Sequence, residues 1–382
     1  MEQAFKIHFP GKLIFAKGAL DTLSDDLIEA GNRKVLVVTI KSLLAALEPF
    51  KAKLEQNGIE VLVDTSINRE PYFSDFNQLL ERAIPFNPDA VLGIGGGSAL
   101  DVAKLIAAQV ESEQTLQEII GIGNLKGRKR KLICAPATAG TGSEVSPNSI
   151  LVDDSDNQKK GFISPYLVPD AVYVDPLLTL TVPAAITAAT GLDALTHCLE
   201  AYTNKFSQPF IDMYAFEGMR LIAANIEKAV KDGSDEEART QVAMGSLLGG
   251  FCLGPVNTAG VHALAYPLGS MYHLAHGLSN AMLLPHVMEF NMSAAPKKYA
   301  DVAIALGCAP GNSSEETAKK GIEKIKTLIK ECGIPATLSE LNIPEDAIPV
   351  IAADAMKVTR LLKNNPREIT LEDAINIYKS AY

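Results

Sequence analysis

The sequence predicts an N-terminal α/β domain built on a parallel sheet, followed by an all-α C-terminal domain. Two observations lead to this prediction. Short apolar runs alternate with amphipathic stretches through the first half of the 382 residues, and after about Pro176 only apolar residues at helical spacing follow. The expected domain boundaries are therefore 1–180 for the α/β domain and 181–382 for the helical domain.

The elements of the first half can be assigned in order. Predicted strands are KVLVVT (34–39), IEVLVD (59–64), DAVLGIGG (89–96) and KLICAPAT (131–138), and predicted helices are residues 43–58, 73–86 and 98–110. Strands that alternate with helices imply βαβ crossovers, which produce a mostly parallel, Rossmann-like sheet covered on both faces. The second half has helical spacing, as in residues 183–203, 210–230 and 316–333.

Composition and charge exclude several classes of protein. Apolar types make up 47% and charged types 21% of the residues, which is enough for sizeable cores and unlike a disordered chain. The net charge of −10 argues against a nucleic-acid partner. The five cysteines are odd in number and scattered, so we expect free thiols in a reducing compartment. The N-terminal stretch lacks the apolar core of a secretory signal, and a cytoplasmic location is expected.

One long segment carries no charge, because Thr240–Met288 contains no Asp, Glu, Lys or Arg. A membrane-spanning helix needs about 20 unbroken apolar residues, and Pro255, Pro267 and Pro285 divide this segment into shorter pieces. Four of the six histidines of the chain also lie in it. Helices that avoid charge and carry clustered imidazoles are typical of a buried site, so we predict core helices and no membrane partner.

Two predicted loops have the composition of anion-binding loops. The first, Gly95-Gly96-Gly97-Ser98, connects the third predicted strand to a helix, where glycines let the backbone approach a phosphate and free N–H groups face its charge. Ser98 and Asp101 also have the spacing of a capping box. When the first loop is considered alone, a tight turn that merely requires small residues explains its sequence equally well.

The second loop strengthens the prediction of a ligand. Residues 138–144, with the sequence Thr-Ala-Gly-Thr-Gly-Ser-Glu, lie at the carboxyl end of the predicted strand 131–138. In open α/β sheets, ligands bind outside the carboxyl ends of the strands. Two loops rich in glycine and hydroxyl groups on that edge suit an extended ligand with two phosphates and sugars, which is a dinucleotide.

Carboxylate and imidazole side chains predict a metal site in the helical half. Asp193 and His197 are four residues apart in a helical pattern, so they share one helix face. One such pair is more often a local hydrogen bond, but His262 and His276 add two imidazoles from the uncharged segment. One carboxylate and three imidazoles suit Fe²⁺, Zn²⁺, Co²⁺ or Ni²⁺ better than Mg²⁺ or Ca²⁺. His273 is a candidate fourth imidazole, proton carrier or substrate contact.

These motifs resemble the iron-containing (group III) alcohol dehydrogenases, over nearly the whole chain. The resemblance rests on GGGSALDVAK (95–104), APATAGTGSEVS (135–146), LVPDAVYVDP (167–176), AATGLDALTHCLEAY (188–202) and the segment 261–291, in the family's order. It implies an enzyme that uses Fe²⁺, with Zn²⁺ or another divalent metal as alternatives, together with NAD or NADP. It also implies that the N-terminal domain binds the dinucleotide and that the C-terminal domain binds the metal and catalyses the reaction.

The resemblance assigns residues to each group. The metal ligands that it implies are Asp193, His197, His262 and His276. The residues that it implies around the dinucleotide are Gly96, Gly97, Ser98, Asp101, Thr138, Thr141, Ser143 and Lys159. All of them except Lys159, which precedes the third stretch, lie within the motifs themselves.

Two positions depart from the family pattern. Many members carry a second cleft histidine four residues after the first buried one, where this chain has Tyr266. Proton handling then falls to the Tyr266 hydroxyl, to His273, or to the cofactor ribose and solvent. Members that prefer NAD often have an Asp after the second strand, where this chain has Ile40, so no carboxylate is present there to bind the ribose or repel a 2′-phosphate. A further histidine of the uncharged segment, His286, is expected to be structural.

The expected activity is the interconversion of a small primary alcohol or diol and its aldehyde by hydride transfer to or from NAD(P). A maleylacetate-reductase-like reductase and a dehydroquinate-synthase-like cyclase are alternatives, but both require cationic residues, and Thr240–Met288 contains none. A non-catalytic nucleotide-binding protein is a further alternative. Such a protein would not need metal ligands, yet all four candidate ligand positions carry Asp or His, which argues against it. The uncharged segment suggests a small neutral substrate.

The resemblance implies a homodimer or larger homo-oligomer, and residues 6–15 have the pattern of an edge hairpin that could pair between subunits.

Overall fold

The computed structural model describes residues 5–382 and confirms the predicted fold class. By their contacts these residues form two units. The α/β unit comprises His8–Thr138 and Ser143–Thr179, and the helical unit comprises residues 5–7, Ala139–Gly142 and Leu180–Tyr382. The four loop residues Ala139–Gly142 therefore group with the helices that follow them. The domain boundaries expected from the sequence, 1–180 and 181–382, stay a prediction.

The described part of the α/β unit contains a large parallel sheet and a small mixed one. The strands are β1 (Lys12–Phe15), β2 (Lys34–Val38), β3 (Glu60–Asp64), β4 (Ala90–Gly95), β5 (Gly121–Ile122), β6 (Lys131–Pro136), β7 (Asn148–Val152), β8 (Lys159–Ile163) and β9 (Ala171–Val174). The main sheet has the order β1-β9-β6-β4-β2-β3, and all its neighbouring strands are parallel. The smaller sheet has the order β5-β8-β7, with β7 antiparallel to β8.

Helices cover both faces of the main sheet. The helices of this unit are α1 (Ala19–Glu29), α2 (Leu44–Gln56), α3 (Phe73–Phe86), α4 (Gly97–Gln109) and α5 (Leu116–Ile119). Alternate residues of β2 point to opposite faces: Leu36 and Val38 share a core with α3 and α4, and Val35 and Val37 share one with α1 and α2. A strand buried on both faces is a nearly continuous apolar run, and the sequence predicted β2, β4 and β6 from such runs.

Some elements were not predicted from the sequence, among them β1, α1 and β7 to β9.

The expected edge hairpin of residues 6–15 is wrong. Only Lys12–Phe15 is a strand there, and it pairs in parallel with β9, with Lys12 opposite Ala171. Pro10 precedes it and has no N–H group to donate to a strand ladder.

The helical unit contains the second half of the chain. Its helices are α6 (Ala184–Thr203), α7 (Pro209–Lys231), α8 (Glu236–Leu253), α9 (Gly260–Tyr272), α10 (His276–Met292), α11 (Pro296–Ala305), α12 (Ser314–Glu331), α13 (Ile348–Ala355), α14 (Thr359–Leu362) and α15 (Leu371–Ser380). The uncharged segment supplies most of α8, all of α9 and most of α10, and their apolar residues lie in the core, as predicted. Across residues 5–382 no helix is both long enough and apolar enough to span a membrane.

We predict that Gly93→Ala destabilises the α/β unit. A Cβ atom at Gly93 would lie 2.9 Å from Ala103 Cβ and 3.1 Å from Leu100 Cα, so α4 would have to move away from β4. Overpacking of this kind costs about 1–3 kcal/mol of the free energy of unfolding. The control is Gly127→Ala, because no atom lies within 4 Å of a Cβ at Gly127. Urea denaturation measures both variants, and equal midpoints would contradict the prediction.

Candidate metal centre and dinucleotide loops

The buried helix α6 carries the first two predicted metal ligands. Asp193 and His197 lie one turn apart on one helix face, and both side chains are buried. The distance from Asp193 Oδ1 to His197 Nε2 is 3.9 Å, which is too long for a hydrogen bond. These two atoms therefore do not form the local hydrogen-bonded pair that the spacing alone would also allow.

Two further imidazoles reach the same carboxylate from α9 and α10. His262 lies in the first turn of α9, and His276 is the first residue of α10. Their Nε2 atoms are 3.5 and 3.9 Å from Asp193 Oδ1. Gly277 allows α10 to begin this close to α6, because a Cβ atom there would lie 2.2 Å from the Ala189 carbonyl oxygen. The structure thus places one nitrogen of each predicted imidazole 3.5–3.9 Å from Asp193 Oδ1. Asp193, His262 and His276 form one compact group of ligand atoms, and His197 lies outside it.

The donor atoms fit a divalent cation. The ligand atoms of Asp193, His262 and His276 all lie within 4.8 Å of one another. Ligands held at 2.0–2.2 Å by a tetrahedral metal are about 3.3–3.6 Å apart, close to the 3.5 and 3.9 Å found here. His262 Nε2 is buried and has no hydrogen-bond partner among the described residues. A buried polar atom without a partner costs free energy unless a bound ligand supplies one. The mixed oxygen and nitrogen set suits Fe²⁺ or Zn²⁺.

The carboxylates and imidazoles shift each other's pKa values. Burial raises the pKa of Asp193, but the imidazoles of His197, His276 and His262 outweigh burial and hold this pKa well below its usual range. Burial lowers the pKa of His197. Burial acts in the same direction on His262, yet the carboxylates of Glu200 and Asp193 raise its pKa to about 9. Asp193 is therefore held as a carboxylate, which is the form that binds a cation.

Two residues of this site were not predicted from the sequence. Glu200 Oε2 lies 2.6 Å from His262 Nδ1. Asn280 donates from Nδ2 to Asp193 Oδ1 at 2.7 Å and lies 3.2 Å from His276 Nε2. Signals for both residues were present, because Glu200 stands seven residues after Asp193 and Asn280 stands four residues after His276. Helical spacing alone could have placed them on the ligand faces.

In the α/β unit, the glycine loop leads from β4 into α4. The helix begins at Gly97, and its N-cap residue Gly96 has no side chain to cap it. The Ala99 N–H group donates to the Gly96 carbonyl, which leaves the N–H groups of Gly97 and Ser98 at the open end of the helix. An anion is stabilised at such an end by these groups and by the helix dipole.

Asp101 has other partners than the predicted one. The expected capping box with Ser98 is wrong, because Ser98 is already the second residue of α4 and lies beyond the cap position. The Asp101 carboxylate instead accepts hydrogen bonds from the Ser143 hydroxyl and from the Ile150 N–H group, the latter at 2.8 Å. Asp101 and Ser143 were both implied around the dinucleotide, and here their hydrogen bond ties α4 to the second loop.

The second loop, residues 138–144, leaves the sheet at the same edge as the glycine loop. Strands β4 and β6 are adjacent and parallel, with Gly95 opposite Pro136, so their carboxyl ends coincide. A Cβ atom at Gly96 would lie 3.6 Å from the Thr138 side chain. Gly142 has a φ of 61°, and a Cβ atom there would lie 2.3 Å from the Gly250 Cα atom, so only glycine fits.

The two remaining dinucleotide candidates lie at different places. Thr141 is half-buried and groups with the helical unit. Lys159 is the first residue of β8 and forms an ion pair with Glu70. The ammonium group of Lys159 is therefore paired with a carboxylate of the same α/β unit.

Two buried charged residues next to these loops were also missed. Lys104 is fully buried, and its Nζ atom donates to the carbonyls of Ser146 at 2.9 Å and Asn148 at 2.7 Å. Burial lowers the pKa of Lys104, although the carboxylates of Asp101 and Glu144 act in the opposite direction. Glu144 is buried, and burial raises its pKa to about 7, with Lys104 opposing this shift. Composition gives no signal for such burial, because it depends on the packing around α4.

The residues that depart from the family pattern occupy distinct positions. The ring of Tyr266 is half-buried, with its centroid 5.9 Å from that of His276. His273 is exposed at the residue that ends α9, in a left-handed conformation with φ 56°. Ile40 follows β2 and is half-buried. It stands near the point where the strand order reverses between β2 and β4, which is where doubly wound sheets bind ligands.

Two family models match the chain. Residues 10–176 match the model described as iron-containing alcohol dehydrogenase. Residues 187–382 match the model of the C-terminal part of the Fe-containing alcohol dehydrogenase family. The two matches cover the α/β part and the helical part of the sequence in turn.

Relatives align with nearly the full length of the chain. It is 38% identical to long-chain-alcohol dehydrogenase 1 of Geobacillus thermodenitrificans (strain NG80-2), covering 99% of this chain and 96% of that protein. It is 34% identical to the 1,3-propanediol dehydrogenase of Citrobacter freundii, covering 98% and 97%. The crystal structure of a 1,3-propanediol oxidoreductase superimposes with a TM-score of 0.95 at 34% identity and covers 100% of both chains.

We predict that Glu144→Gln changes how the free energy of unfolding depends on pH. Glu144 has a pKa of about 7 in the folded protein and about 4.5 as its ordinary value. The folded state therefore binds this proton more tightly, and the stability that it gives is complete below pH 4.5 and is lost as the pH rises to 7. Gln cannot ionise, so the variant should gain about 1–3 kcal/mol over the wild type between pH 5 and pH 8.

Denaturation with urea at the two pH values measures this gain. Glu81→Gln is the matched control, because Glu81 is exposed. Parallel pH profiles for Glu144→Gln and the wild type would contradict the prediction.

Proposed function

This chain belongs to the iron-containing alcohol dehydrogenase family, and from this premise we propose the residues and the substrates through which it acts. It is a metal-dependent, NAD(P)-linked enzyme that interconverts an alcohol and its aldehyde by hydride transfer. One observation carries the proposal: a single buried carboxylate oxygen, Asp193 Oδ1, has three imidazole Nε2 atoms 3.5–3.9 Å away.

We assign the ligand roles to Asp193, His197, His262 and His276. When bound, a divalent metal at this point supplies a Lewis acid for the substrate oxygen. The chain's part is to present one carboxylate and three imidazoles, of which Asp193, His197 and His262 are buried and His276 is half-buried. Water competes little at the buried donors, where electrostatic interactions are strong. Asn280 fixes the direction of the Asp193 carboxylate through its hydrogen bond to Oδ1.

We assign dinucleotide binding to the two loops at the carboxyl ends of β4 and β6. The N–H groups of Gly97 and Ser98, which follow Gly96, would bind the pyrophosphate at the positive end of α4. Three further side chains, Thr138, Thr141 and Lys159, supply hydroxyl and ammonium donors for cofactor oxygens. Asp101 and Ser143 support the loops through their mutual hydrogen bond. When bound, the nicotinamide accepts or gives the hydride. Since position 40 is Ile, both NAD and NADP are compatible with this site.

We assign proton transfer at the substrate hydroxyl to Tyr266 in preference to His273. The Tyr266 ring is beside the His276 ring, whereas His273 is exposed at the end of α9. The Tyr266 hydroxyl can both donate and accept a hydrogen bond. The cofactor ribose and solvent remain the alternative path if Tyr266→Phe keeps full activity.

We propose a small neutral primary alcohol or diol as the substrate. The two relatives named above are a long-chain-alcohol dehydrogenase and a 1,3-propanediol dehydrogenase. Both names denote uncharged substrates, and the second supports a small one. The segment Thr240–Met288, which supplies His262 and His276, contains no Lys or Arg that could bind a phosphate or a carboxylate. This weighs against the cyclase and the maleylacetate-reductase alternatives.

Two further expectations belong to the proposal. We propose that the enzyme is a homodimer or larger homo-oligomer, as the family resemblance implies. We also propose that it is cytoplasmic, where its five free cysteines would stay reduced.

Steady-state assays would test the proposed substrate. Short aldehydes are offered to the iron-loaded and the zinc-loaded protein with NADH and, in parallel, with NADPH. We expect oxidation of at least one dinucleotide with neutral aldehydes and little with dicarboxylates or sugar phosphates. Turnover that is unchanged after complete removal of metal would exclude the proposed site.

We predict that His262→Ala or Asp193→Asn loses the metal and most of the turnover. A metal that acts as a Lewis acid contributes several kcal/mol, so kcat should fall by about 10³-fold or more. Dinucleotide affinity should persist, because the glycine loop belongs to the α/β unit. Elemental analysis and dinucleotide fluorescence titration measure the two effects separately.

The matched control is His286→Ala. His286 lies on the same helix as His276, but its Nδ1 atom is 3.0 Å from the Ser380 hydroxyl. This variant should keep both the metal and the turnover. Equal loss in His286→Ala and His262→Ala would mean that the effect reports general damage to the helical unit.

A further inference from the structure

The carboxylate of Glu200 joins two of the helices that carry the metal ligands. Glu200 lies on α6, on the face that also holds Asp193 and His197, and only 3% of its surface is exposed. Its partners are all in or next to the first turn of α9. Oε1 accepts a hydrogen bond from the Val261 N–H group at 2.6 Å, and Oε2 accepts one from the Ala259 N–H group at 3.0 Å.

The same carboxylate also binds a metal-ligand ring. His262 Nδ1 is 2.6 Å from Glu200 Oε2. An ionised carboxylate can only accept hydrogen bonds, so Nδ1 is the donor. Nε2 is then the ring atom that points to Asp193 Oδ1, which is 3.5 Å away. A histidine that binds a metal commonly donates its other ring N–H group to a carboxylate, which fixes the orientation of the ring.

We propose that Glu200 is a positioning residue of the metal centre, which holds His262 so that Nε2 faces Asp193 and thereby raises the affinity for the metal. The inference rests on the metal site of the proposed function. Glu200 does not itself touch the metal, the substrate or the cofactor; it acts through His262.

The two functions of the carboxylate reinforce each other. The N-cap residue of α9, Ala259, has no side chain that could cap the helix, and Glu200 on α6 instead accepts from the N–H group of Val261, the second residue of α9. The negative charge is also favourable at a helix N-terminus. Because His262 is in this same turn, the bonds that fix the start of α9 also fix the ring. The ring of His262 in addition stacks on that of His197, with centroids 4.8 Å apart.

A carboxylate is required for the full set of bonds. Three N–H groups point at Glu200, and both of its oxygens accept. A glutamine at this position has one acceptor oxygen and one NH₂ group, so at least one of the three N–H groups faces a donor. Glu200→Gln keeps the volume of the side chain and removes the charge, which makes it the most informative variant.

The control is Asn364→Leu. Asn364 is buried, and its Nδ2 atom donates to the Thr258 carbonyl at 2.7 Å, so it supports the same segment before α9 without contacting a ligand. Each variant is nearly isosteric and disturbs one hydrogen bond to the segment. Glu200→Gln also removes the negative charge, so it weakens the bond to His262 Nδ1 whichever way the amide is turned, whereas Asn364→Leu leaves that bond unchanged.

The experiment measures metal affinity and does not depend on turnover. Apoprotein of the wild type and of both variants is titrated with Zn²⁺ against a chromophoric chelator, and with Co²⁺ by visible absorption. We expect Glu200→Gln to weaken Zn²⁺ binding by 10–100-fold and to change the Co²⁺ spectrum. Asn364→Leu should keep the wild-type spectrum and an affinity within about twofold, even where its thermal midpoint falls. Dinucleotide affinity should be equal in all three proteins.

Each outcome has one meaning. A wild type that binds no Zn²⁺ would refute the proposed metal site itself, before Glu200 is considered. Wild-type affinity in Glu200→Gln would overturn the role of Glu200, and so would an equal loss of affinity in Asn364→Leu.

If Glu200→Gln does not fold, the wild type answers the question. Zn²⁺-loaded protein labelled with ¹⁵N-histidine has only six histidines to resolve. We expect one ring whose Nδ1 proton is protected from exchange while Nε2 is bound to Zn²⁺. The absence of a protected Nδ1 proton would overturn the inference.

Discussion

The helical unit is organised around one buried anion, the carboxylate of Asp193. Burial of an ionised carboxylate is costly unless cationic or donor groups surround it. Here the surroundings are three imidazole nitrogens at 3.5–3.9 Å and one amide donor, Asn280. None of the imidazole distances is that of a hydrogen bond. Of these nitrogens, His262 Nε2 has no hydrogen-bond partner among residues 5–382, and a divalent cation bound beside it would satisfy both this atom and the Asp193 carboxylate.

The α/β unit uses a buried charge in a related way. Lys104 donates to the carbonyls of Ser146 and Asn148, and Glu200 accepts from N–H groups at the start of α9. In both units a buried charged side chain on one helix binds the backbone of a neighbouring segment that carries candidate site residues. A charge-assisted hydrogen bond is about twice as strong as a neutral one, so it holds such a segment more firmly. Rigid placement of the reacting groups is the main contribution of a protein whose chemistry resides in a metal and a nicotinamide.

The sequence predicted what local periodicity determines. Phe73–Phe86 was expected as a helix from its apolar spacing and is one, because that spacing alone builds a continuous buried face. The four candidate metal ligands could be proposed from the sequence because two lie four residues apart and the others stand out in an uncharged segment. What was missed depends on tertiary contacts. Nothing in the local sequence distinguishes Glu200 from an exposed glutamate, because its burial depends on the packing of α9 beside α6. The capping box at Ser98 failed because the chain is extended at Gly96, so the helix starts two residues earlier than the motif required.

Charge balance explains why the segment Thr240–Met288 can surround this site without a single charged residue. Asp193 and Glu200 bring two negative charges into the buried centre, and the imidazoles are neutral when they act as ligands. A divalent cation neutralises both carboxylates, so no Lys or Arg is needed nearby. A trivalent ion would leave an excess positive charge in a medium of low dielectric constant, where its electrostatic cost is high. The same neutrality fits an uncharged substrate, since an anionic one would require a further cation that this segment does not provide.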